Sequence, residues 1–194
     1  MLDNISKYKV ILASKSPRRQ ELLGMLDIPF EVHTKDGIDE TYPAEMPAMQ
    51  VAEYLSALKG KAYAEEIKGN ELVITADTIV ILDGRIYGKP HSEQEAVDML
   101  MRLQGRTHTV ATGVTVTTKE KSVSFSTYTG VCFAEITEDE ARWYVERYRP
   151  LDKAGAYGIQ EWIGCAAVAG IEGSYYNVMG LPVHQLYKTL KSEF

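Results

Sequence analysis

The chain has 194 residues, 45% of them hydrophobic and 25% charged, and this composition predicts one globular domain over residues 1–194. A formal net charge of −6 argues against a nucleic-acid polymer or an anionic membrane as a partner. The sequence has no apolar run of the ~18 residues that a membrane helix needs, and its first residues lack the features of a signal peptide. Cys132 and Cys165 have no metal-ligand spacing and lie in strand-like apolar runs. We therefore expect a reduced, cytoplasmic protein.

The first predicted elements are a buried strand and a helix joined by a short polar loop. Residues 10–12 are apolar, and the helix is predicted to begin at Ser16, a good N-cap, with Pro17 as its first residue. Three cations lie at this helix start: Lys15, Arg18 and Arg19. Cations oppose the positive end of the helix dipole, so the pattern predicts a bound anion, with phosphate as the first candidate. The alternative is an ordinary turn with solvated arginines, and the glycines of a Walker A loop are missing.

The rest of the chain shows helical and strand patterns in alternation. In chain order they predict a strand at 30–33, a helix from Pro47 with an apolar stripe at Val51, Tyr54, Leu55, Leu58 and Ala62, a strand at 72–76, and a hairpin of residues 79–82 and 85–87. There follow a helix capped by Ser92 and Glu95 that ends before Gly105, a hairpin of residues 110–117 and 123–134, a helix capped by Thr137 and Glu140, a polar loop at 150–160, a strand at 165–171 and a helix from Pro182. No Gly-x-Gly-x-x-Gly segment follows the first strand. We predict an α/β fold with a mixed, twisted sheet flanked by helices.

Acidic residues supply the first candidates for chemistry. Asp77 follows the apolar run 72–76, and a carboxylate at the end of such a strand lies at the rim where α/β folds bind ligands. It could bind a divalent cation or polarise a water, or it could simply cap a turn through Thr78. Asp39 and Glu40 lie in an acidic loop and could share one Mg²⁺ or Mn²⁺ with Asp77, since hard cations prefer oxygen ligands. The alternative is that these two loop acids are only solvated.

Two lysines and one amide are further candidates. Lys61 lies on the predicted second helix and Lys89 in a Gly-Lys-Pro turn that fixes its direction, although either could be ordinary surface charge. Gln160 ends a loop rich in glycine and polar residues, and its carboxamide could pair with the edge of a base. Alternatively, Gln160 braces its own loop. The four histidines form no catalytic triad or zinc pattern.

Four segments of the chain resemble the signature segments of the Maf family of nucleoside triphosphate pyrophosphatases. They are Ser14-Lys15-Ser16-Pro17-Arg18-Arg19, Ala76-Asp77-Thr78, Gly88-Lys89-Pro90 and Asp152-Lys153-Ala154-Gly155-Ala156-Tyr157-Gly158-Ile159-Gln160. They occur in the order and spacing of the family, and the resemblance covers nearly the whole chain. The chain departs from the pattern in two places: Asp39 stands where a relative often has Glu, and Glu161-Trp162 follows Gln160 where a glycine is common.

The resemblance implies hydrolysis of a nucleoside triphosphate to a monophosphate and pyrophosphate, with Mg²⁺ or Mn²⁺, by an α/β fold related to the inosine triphosphate pyrophosphatases. It implies that Asp77 is the proton acceptor, that substrate choice depends on Arg18, Thr78 and Gln160, and that the triphosphate site includes Ser14, Arg19, Lys61 and Lys89. The Tyr-Gly-Ile-Gln segment resembles the branch that acts on dTTP and UTP. A homodimer is a further implication. Two alternatives are a nucleotide-responsive regulator that inhibits septum formation and a pyrophosphatase for modified purine nucleotides.

Overall fold

Seven strands and seven α-helices make up the secondary structure of residues 2–194, the part of the chain that the computed structural model describes. The strands are β1 (Lys9–Leu12), β2 (Glu31–Val32), β3 (Glu71–Leu82), β4 (Arg85–Tyr87), β5 (Thr107–Thr117), β6 (Ser122–Phe133) and β7 (Val168–Glu172). The helices are α1 (Pro17–Gly24), α2 (Ala48–Ala64), α3 (Glu93–Leu103), α4 (Glu138–Tyr148), α5 (Trp162–Ala166), α6 (Tyr175–Met179) and α7 (Val183–Glu193). Short 3₁₀ helices lie at Asp3–Ile5, Pro150–Asp152 and Ala154–Ala156. None of the helices in residues 2–194 is long and apolar enough to span a membrane.

All seven strands belong to one mixed sheet, in the order β2-β1-β3-β5-β6-β7, with β4 paired to β3. The strand β1 runs parallel to both of its neighbours, and the register places Val10 opposite Leu72 and Leu12 opposite Ile74. The pairs β3–β4 and β6–β7 are antiparallel. This combination of a mixed sheet and surrounding helices confirms the predicted fold class. The chain divides into two compact units: unit 1 comprises the residues up to Asp77, 112–127 and those from Gly180, and unit 2 comprises 78–111 and 128–179.

In unit 1, helix α2 packs against the sheet at two glycines. A Cβ on Gly113 of β5 would lie 2.2 Å from the backbone oxygen of Ala52. A Cβ on Gly60 of α2 would lie 3.0 Å from side-chain atoms of Thr115 and Thr117. Only a hydrogen atom fits at Gly113, and a Cβ at Gly60 would be tight, so the two glycines allow a close approach of the helix to the strands. The buried face of α2 differs from the predicted apolar stripe at one residue: Val51 and Leu55 are buried as expected, whereas Tyr54 is 37% exposed.

In unit 2, two helices begin with the side-chain caps that the sequence predicts. The Ser92 hydroxyl accepts a hydrogen bond from the Glu95 backbone nitrogen at 3.1 Å, and α3 ends before Gly105, whose φ is +65°. The Glu95 carboxylate binds the backbone nitrogen of His91, so this pair is half of a capping box. Thr137 and Glu140 form a complete capping box at α4. The caps satisfy donors of the first turn and fix where each helix begins.

Three predicted boundaries are wrong. The strand predicted at 72–76 continues through Asp77 and Thr78 to Leu82, so Asp77 lies inside a strand of 12 residues rather than at its end. Cys165 lies in α5, and the predicted strand at 165–171 begins only at Val168. The predicted polar loop at 150–160 contains two 3₁₀ helices, and most of its residues from Lys153 to Ile159 are buried. In each case tertiary packing overrides the local sequence pattern.

A buried histidine makes the stability of the protein depend on pH. His108 on β5 is 1% exposed, and its Nε2 lies 2.7 Å from the hydroxyl oxygen of Tyr157. Burial lowers its pKa from 6.5 to about 4, so the unfolded chain binds this proton at a higher pH than the folded protein. Stability is therefore lost as the pH falls below 6.5. We expect the free energy of unfolding in urea to be about 2 kcal/mol lower at pH 5 than at pH 8.

The replacement His108→Gln should flatten this pH dependence, because glutamine can keep a polar contact with Tyr157 and does not titrate. His184→Gln is the matched control, since His184 is an exposed residue of α7. Equal pH profiles of the wild type and the His108→Gln variant would contradict the assignment of this acid sensitivity to His108.

Candidate functional site

The loop between β1 and α1 is organised around the buried hydroxyl of Ser14. Its Oγ accepts a hydrogen bond from the backbone nitrogen of Ser16 at 3.2 Å and lies 3.5 Å from Nη1 of Arg19. The helix begins after Ser16 as predicted, but the Ser16 hydroxyl caps no backbone group. The expectation that this side chain is a working cap is therefore wrong. A helix end without a side-chain cap is suited to an anion.

Arg19 fastens α1 to two other parts of unit 1. Its Nε donates to the backbone oxygen of Gly180 at 2.8 Å, and its Nη1 donates to the backbone oxygen of Ala76 at 3.0 Å. Loss of contact with water lowers the pKa of the guanidinium below its ordinary value, and the negative charge of Asp77 opposes this effect. Arg19 therefore holds a positive charge close to Asp77 and has a structural task that the sequence does not indicate. Arg18 is half-buried in the same first turn.

Asp77 shares a lysine with a second carboxylate. The Nζ of Lys59 lies 2.6 Å from Oδ1 of Asp77 and 2.9 Å from Oε2 of Glu40. The side chains of Asp77 and Lys59 are only 15% and 14% exposed, so this pair is largely protected from solvent. Glu40 is about half exposed. The structure thus brings together two of the three predicted acidic residues around one ammonium group.

The helix α2 supplies Lys59 and also anchors the loop that carries Glu40. The hydroxyl of Tyr63 accepts a hydrogen bond from the backbone nitrogen of Lys35 at 2.7 Å, and the Nζ of Lys35 donates to the backbone oxygen of Ala62 at 2.9 Å. These bonds hold the beginning of the acidic loop against the end of the helix. Lys61, the residue predicted on this helix, is exposed, because it points about 200° away from Lys59 on a helix of 3.6 residues per turn.

Asp39 has a different position from the other two acids. Its Oδ1 accepts a hydrogen bond from the backbone nitrogen of Thr41 at 3.2 Å, and the residue is exposed. Within residues 2–194, no three side chains of the types His, Cys, Asp or Glu form a group that could hold a metal ion. The carboxylates of Asp77 and Glu40 are nevertheless the hard oxygen donors that Mg²⁺ and Mn²⁺ prefer.

Thr78 and Lys89 are predicted site residues that lie in unit 2. Thr78 is half-buried on β3, directly after Asp77. Lys89 is exposed in the segment before α3, and this segment is held by a bond of 3.0 Å from the Gly155 nitrogen to the Gly88 oxygen. Gly155 has a φ of +67°, and a Cβ at this position would lie 2.8 Å from the side chain of Val80 on β3. The glycine therefore allows the loop to pack directly on the strand.

Gln160 lies at the exposed tip of a four-residue turn. The turn is closed by a bond of 3.0 Å from the Glu161 nitrogen to the Gly158 oxygen. Among residues 2–194, no hydrogen bond to the Gln160 side chain is found, so within this part of the chain its carboxamide does not brace the loop. Buried Lys153 lies beneath the turn, with its Nζ 2.7 Å from Oδ1 of Asp152 and 3.2 Å from Oε1 of Glu161.

Two charged residues of these clusters were missed by sequence reasoning. Lys59 lies one helical turn from both Leu55 and Tyr63, which are buried, and this spacing could have indicated that Lys59 faces the sheet. Lys153 gives a weaker signal, because a lysine next to an aspartate in a polar loop is usually solvated. Its burial becomes evident only from the packing of the loop.

Comparison with solved structures gives distant similarities. The chain is 11% identical to a HAM1 protein from Coxiella burnetii, with a TM-score of 0.48, and the match covers 94% of this chain and 98% of the other. It is 14% identical to a nucleoside-triphosphatase, also titled dITP/XTP pyrophosphatase, from Mycobacterium abscessus, with a TM-score of 0.42 and coverage of 66% and 75%.

Comparison of sequences gives much stronger matches. A protein from Phocaeicola vulgatus named dTTP/UTP pyrophosphatase is 54% identical over 191 residues, which are 98% of this chain and 99% of that protein. Proteins of the same name from Porphyromonas gingivalis and Bacteroides thetaiotaomicron are 52% and 50% identical, with 98% of this chain covered and 97% and 99% of those proteins. The family model described as Maf-like protein matches residues 9–193. A match of this extent, over all four signature segments, means that the chain belongs to the family of Maf-like proteins.

Proposed function

We propose that this protein hydrolyses dTTP and UTP to the nucleoside monophosphate and pyrophosphate. The support from sequence is the name dTTP/UTP pyrophosphatase of relatives that are about half identical to this chain over nearly its full length. The support from structure is one observation above all: the enclosed carboxylate of Asp77, held by Lys59 beside Glu40 and close to the charge of Arg19.

In this proposal Asp77 accepts a proton from the water that attacks the α-phosphorus. A general base must be held in a fixed direction, and Lys59 provides this by binding Oδ1 of Asp77. No covalent intermediate is expected. Arg18, Arg19, Lys89 and the Ser14 hydroxyl bind or stabilise the triphosphate, and their positive charge compensates the charge that develops on the leaving pyrophosphate. Thr78 contributes to substrate choice. A role of Lys61 in the triphosphate site stays a prediction from the resemblance.

A divalent cation, Mg²⁺ or Mn²⁺, is part of the proposal. Asp77 and Glu40 would hold it together with phosphate oxygens of the substrate, because Mg²⁺ is commonly bound by only one or two carboxylates plus phosphates. When bound, the cation neutralises phosphate charge and lowers the pKa of a coordinated water. Asp39 is the weakest of the three predicted ligands, since its carboxylate binds the backbone of its own loop.

Removal of divalent cations should abolish turnover. We expect the release of pyrophosphate from dTTP to stop after exhaustive dialysis against EDTA, and to return on addition of Mg²⁺ or Mn²⁺, because the phosphates need their charge neutralised for attack. The melting temperature of the dialysed protein is the control for unfolding. Full activity after chelation, with metal content checked by mass spectrometry, would contradict the proposed cation.

Gln160 is proposed to read the base. Uracil and thymine present two carbonyl acceptors on either side of an N–H donor, and a carboxamide can pair with the N–H and one carbonyl at once. Cytosine has an acceptor at N3 and an amino donor beside it, so a carboxamide held in the orientation that suits uracil would face groups of its own kind. A panel of dTTP, UTP, CTP and modified purine triphosphates, with detection of pyrophosphate, tests both the reaction and this preference.

We expect dTTP and UTP to have the highest kcat/KM, and Gln160→Ala to reduce the preference over CTP by about tenfold or more. If Gln160→Ala lowered kcat/KM equally for all substrates, Gln160 would have a structural role instead of a role in base recognition. If modified purine triphosphates gave the highest activity, the result would support the alternative of a pyrophosphatase for modified purine nucleotides. Inhibition of septum formation by an inactive Asp77→Asn variant would support the alternative of a nucleotide-responsive regulator.

The remaining features of the proposal concern the whole chain. We propose that residues 1–194 act as one nucleotide pyrophosphatase domain, because the family model matches residues of both units. The net charge of −6 supports free nucleotides rather than a nucleic-acid polymer as ligands. A cytoplasmic location and a homodimer stay predictions.

A further inference from the structure

The turn that presents Gln160 is held at both of its ends by one side chain. Tyr144 on α4 is fully buried, and its hydroxyl accepts a hydrogen bond from the backbone nitrogen of Gly158 at 3.1 Å. The same hydroxyl donates to the carboxylate of Glu161. Gly158 and Glu161 are the first and last residues of the turn, and a backbone bond also joins them. A single oxygen atom therefore fixes the two points from which Gln160 projects.

Two further contacts keep Tyr144 and Glu161 in place. The ring of Tyr144 stacks on the ring of Tyr148, with centroids 5.1 Å apart, and lies 6.4 Å from the ring of Trp162. Oε1 of Glu161 lies 3.2 Å from the Nζ of buried Lys153. Burial raises the pKa of the Tyr144 hydroxyl, with the Glu161 carboxylate adding to the effect, so the hydroxyl stays a donor at neutral pH.

We propose that Tyr144 is a positioning residue for base recognition, acting through Glu161 and the backbone of Gly158. The proposal rests on the proposed base-reading role of Gln160. A carboxamide at a mobile tip loses conformational freedom when it binds a base, and a braced turn removes part of this cost before binding. Glu161 and the next residue, Trp162, both lie against Tyr144, so the end of the turn is held through two successive side chains.

The test is Tyr144→Phe, which keeps the stacked ring and removes the hydroxyl. Tyr148→Phe is the matched control, because Tyr148 lies on the same helix and stacks on the same ring, but within residues 2–194 its hydroxyl is in no hydrogen bond. We expect Tyr144→Phe to reduce the ratio of kcat/KM for dTTP to that for CTP by about tenfold, because the bonds of the hydroxyl to both Gly158 and Glu161 are lost. Tyr148→Phe should leave the ratio unchanged.

Two further measurements separate positioning from a general loss of structure. Inhibition by inorganic pyrophosphate, which probes the phosphate site alone, should be unchanged in Tyr144→Phe. The backbone nitrogen of Gly158 should exchange its hydrogen faster with solvent, because it has lost its acceptor. A loss of kcat/KM that is equal for dTTP and CTP would overturn the proposal.

Gln160→Ala is the reference that separates the positioning role of Tyr144 from base reading by Gln160. If Gln160→Ala lowers the ratio and Tyr144→Phe does not, the positioning role fails while base reading by Gln160 stands. If Gln160→Ala leaves the ratio unchanged, base reading itself fails, and the positioning role fails with it.

The Glu161 side of the brace gives a second test in case Tyr144→Phe does not fold. Glu161→Gln keeps an acceptor for the Tyr144 hydroxyl, whereas Glu161→Ala removes it. We expect the alanine variant to lose base preference and the glutamine variant to keep most of it. Equal preference in both variants would overturn the proposal.

Discussion

The replacement Asp77→Asn should lower kcat for dTTP by about 10²–10⁴-fold, the range for loss of a general base. Asparagine has the same shape but cannot accept the proton of the attacking water, and it also loses the charge that would help to hold a divalent cation. The fold should persist, because Lys59 keeps its ion pair with Glu40. The measurement is the initial rate of pyrophosphate release, with circular dichroism to verify the fold.

Asp36→Asn is the matched control for this experiment. Asp36 is an exposed aspartate whose Oδ1 pairs with the Nζ of Lys15 at 2.6 Å, and exposed pairs contribute little to stability. Its replacement should leave kcat unchanged. A rate for Asp77→Asn above about a tenth of the wild-type rate would contradict the role of Asp77, since a group that supplies general-base catalysis contributes more than this.

The replacement Gly113→Ala should lower the free energy of unfolding by about 3 kcal/mol or more, the upper range for an overpacked core position. The added Cβ would lie 2.2 Å from the backbone oxygen of Ala52 and 2.4 Å from the backbone nitrogen of Glu53. Backbone atoms cannot rotate away as a side chain can, so α2 must move off β5. Urea unfolding measures the change.

Loss of activity should accompany this loss of stability, even at temperatures where the variant remains folded. Helix α2 carries Lys59, and a displaced helix would move the ammonium away from Asp77. Gly24→Ala is the control, because Gly24 lies in α1 with open space around its Cβ position, and alanine favours a helix. A variant of Gly113 with wild-type stability would contradict the close packing of α2 on the sheet.

The elements with strong local signals could be predicted from the sequence. Three local signals each determine a boundary: the capping box of Thr137 and Glu140, the two-residue turn in the predicted hairpin of 79–82 and 85–87, and the proline at the start of α1. The extent of β3 could not be predicted, because aspartate is uncommon inside strands and Asp77 nevertheless lies within β3.

The sequence indicates which types of residue form the candidate site, but it does not indicate which of these residues are in contact. Asp77 and Glu40 follow from the pattern of acidic residues, whereas their meeting depends on Lys59 and on the approach of α2 to the sheet. Lys15 belongs to the predicted cationic cluster but pairs with Asp36 at the surface. Such pairings join residues far apart in the chain, and no short segment contains the information that determines them.

The different supports of Asp77 and Gln160 have a consequence for how this protein can diverge. Asp77 lies inside a strand, where an inserted or deleted residue would shift the register and reverse every side chain that follows. Gln160 is the exposed tip of a four-residue turn, where replacement of a side chain shifts no strand register. With the roles proposed for these two residues, we expect the cleavage step to tolerate less change than the contact of Gln160 with the base. We therefore expect new nucleotide preferences to arise through changes in a few residues around 158–161, with the surroundings of Asp77 unchanged.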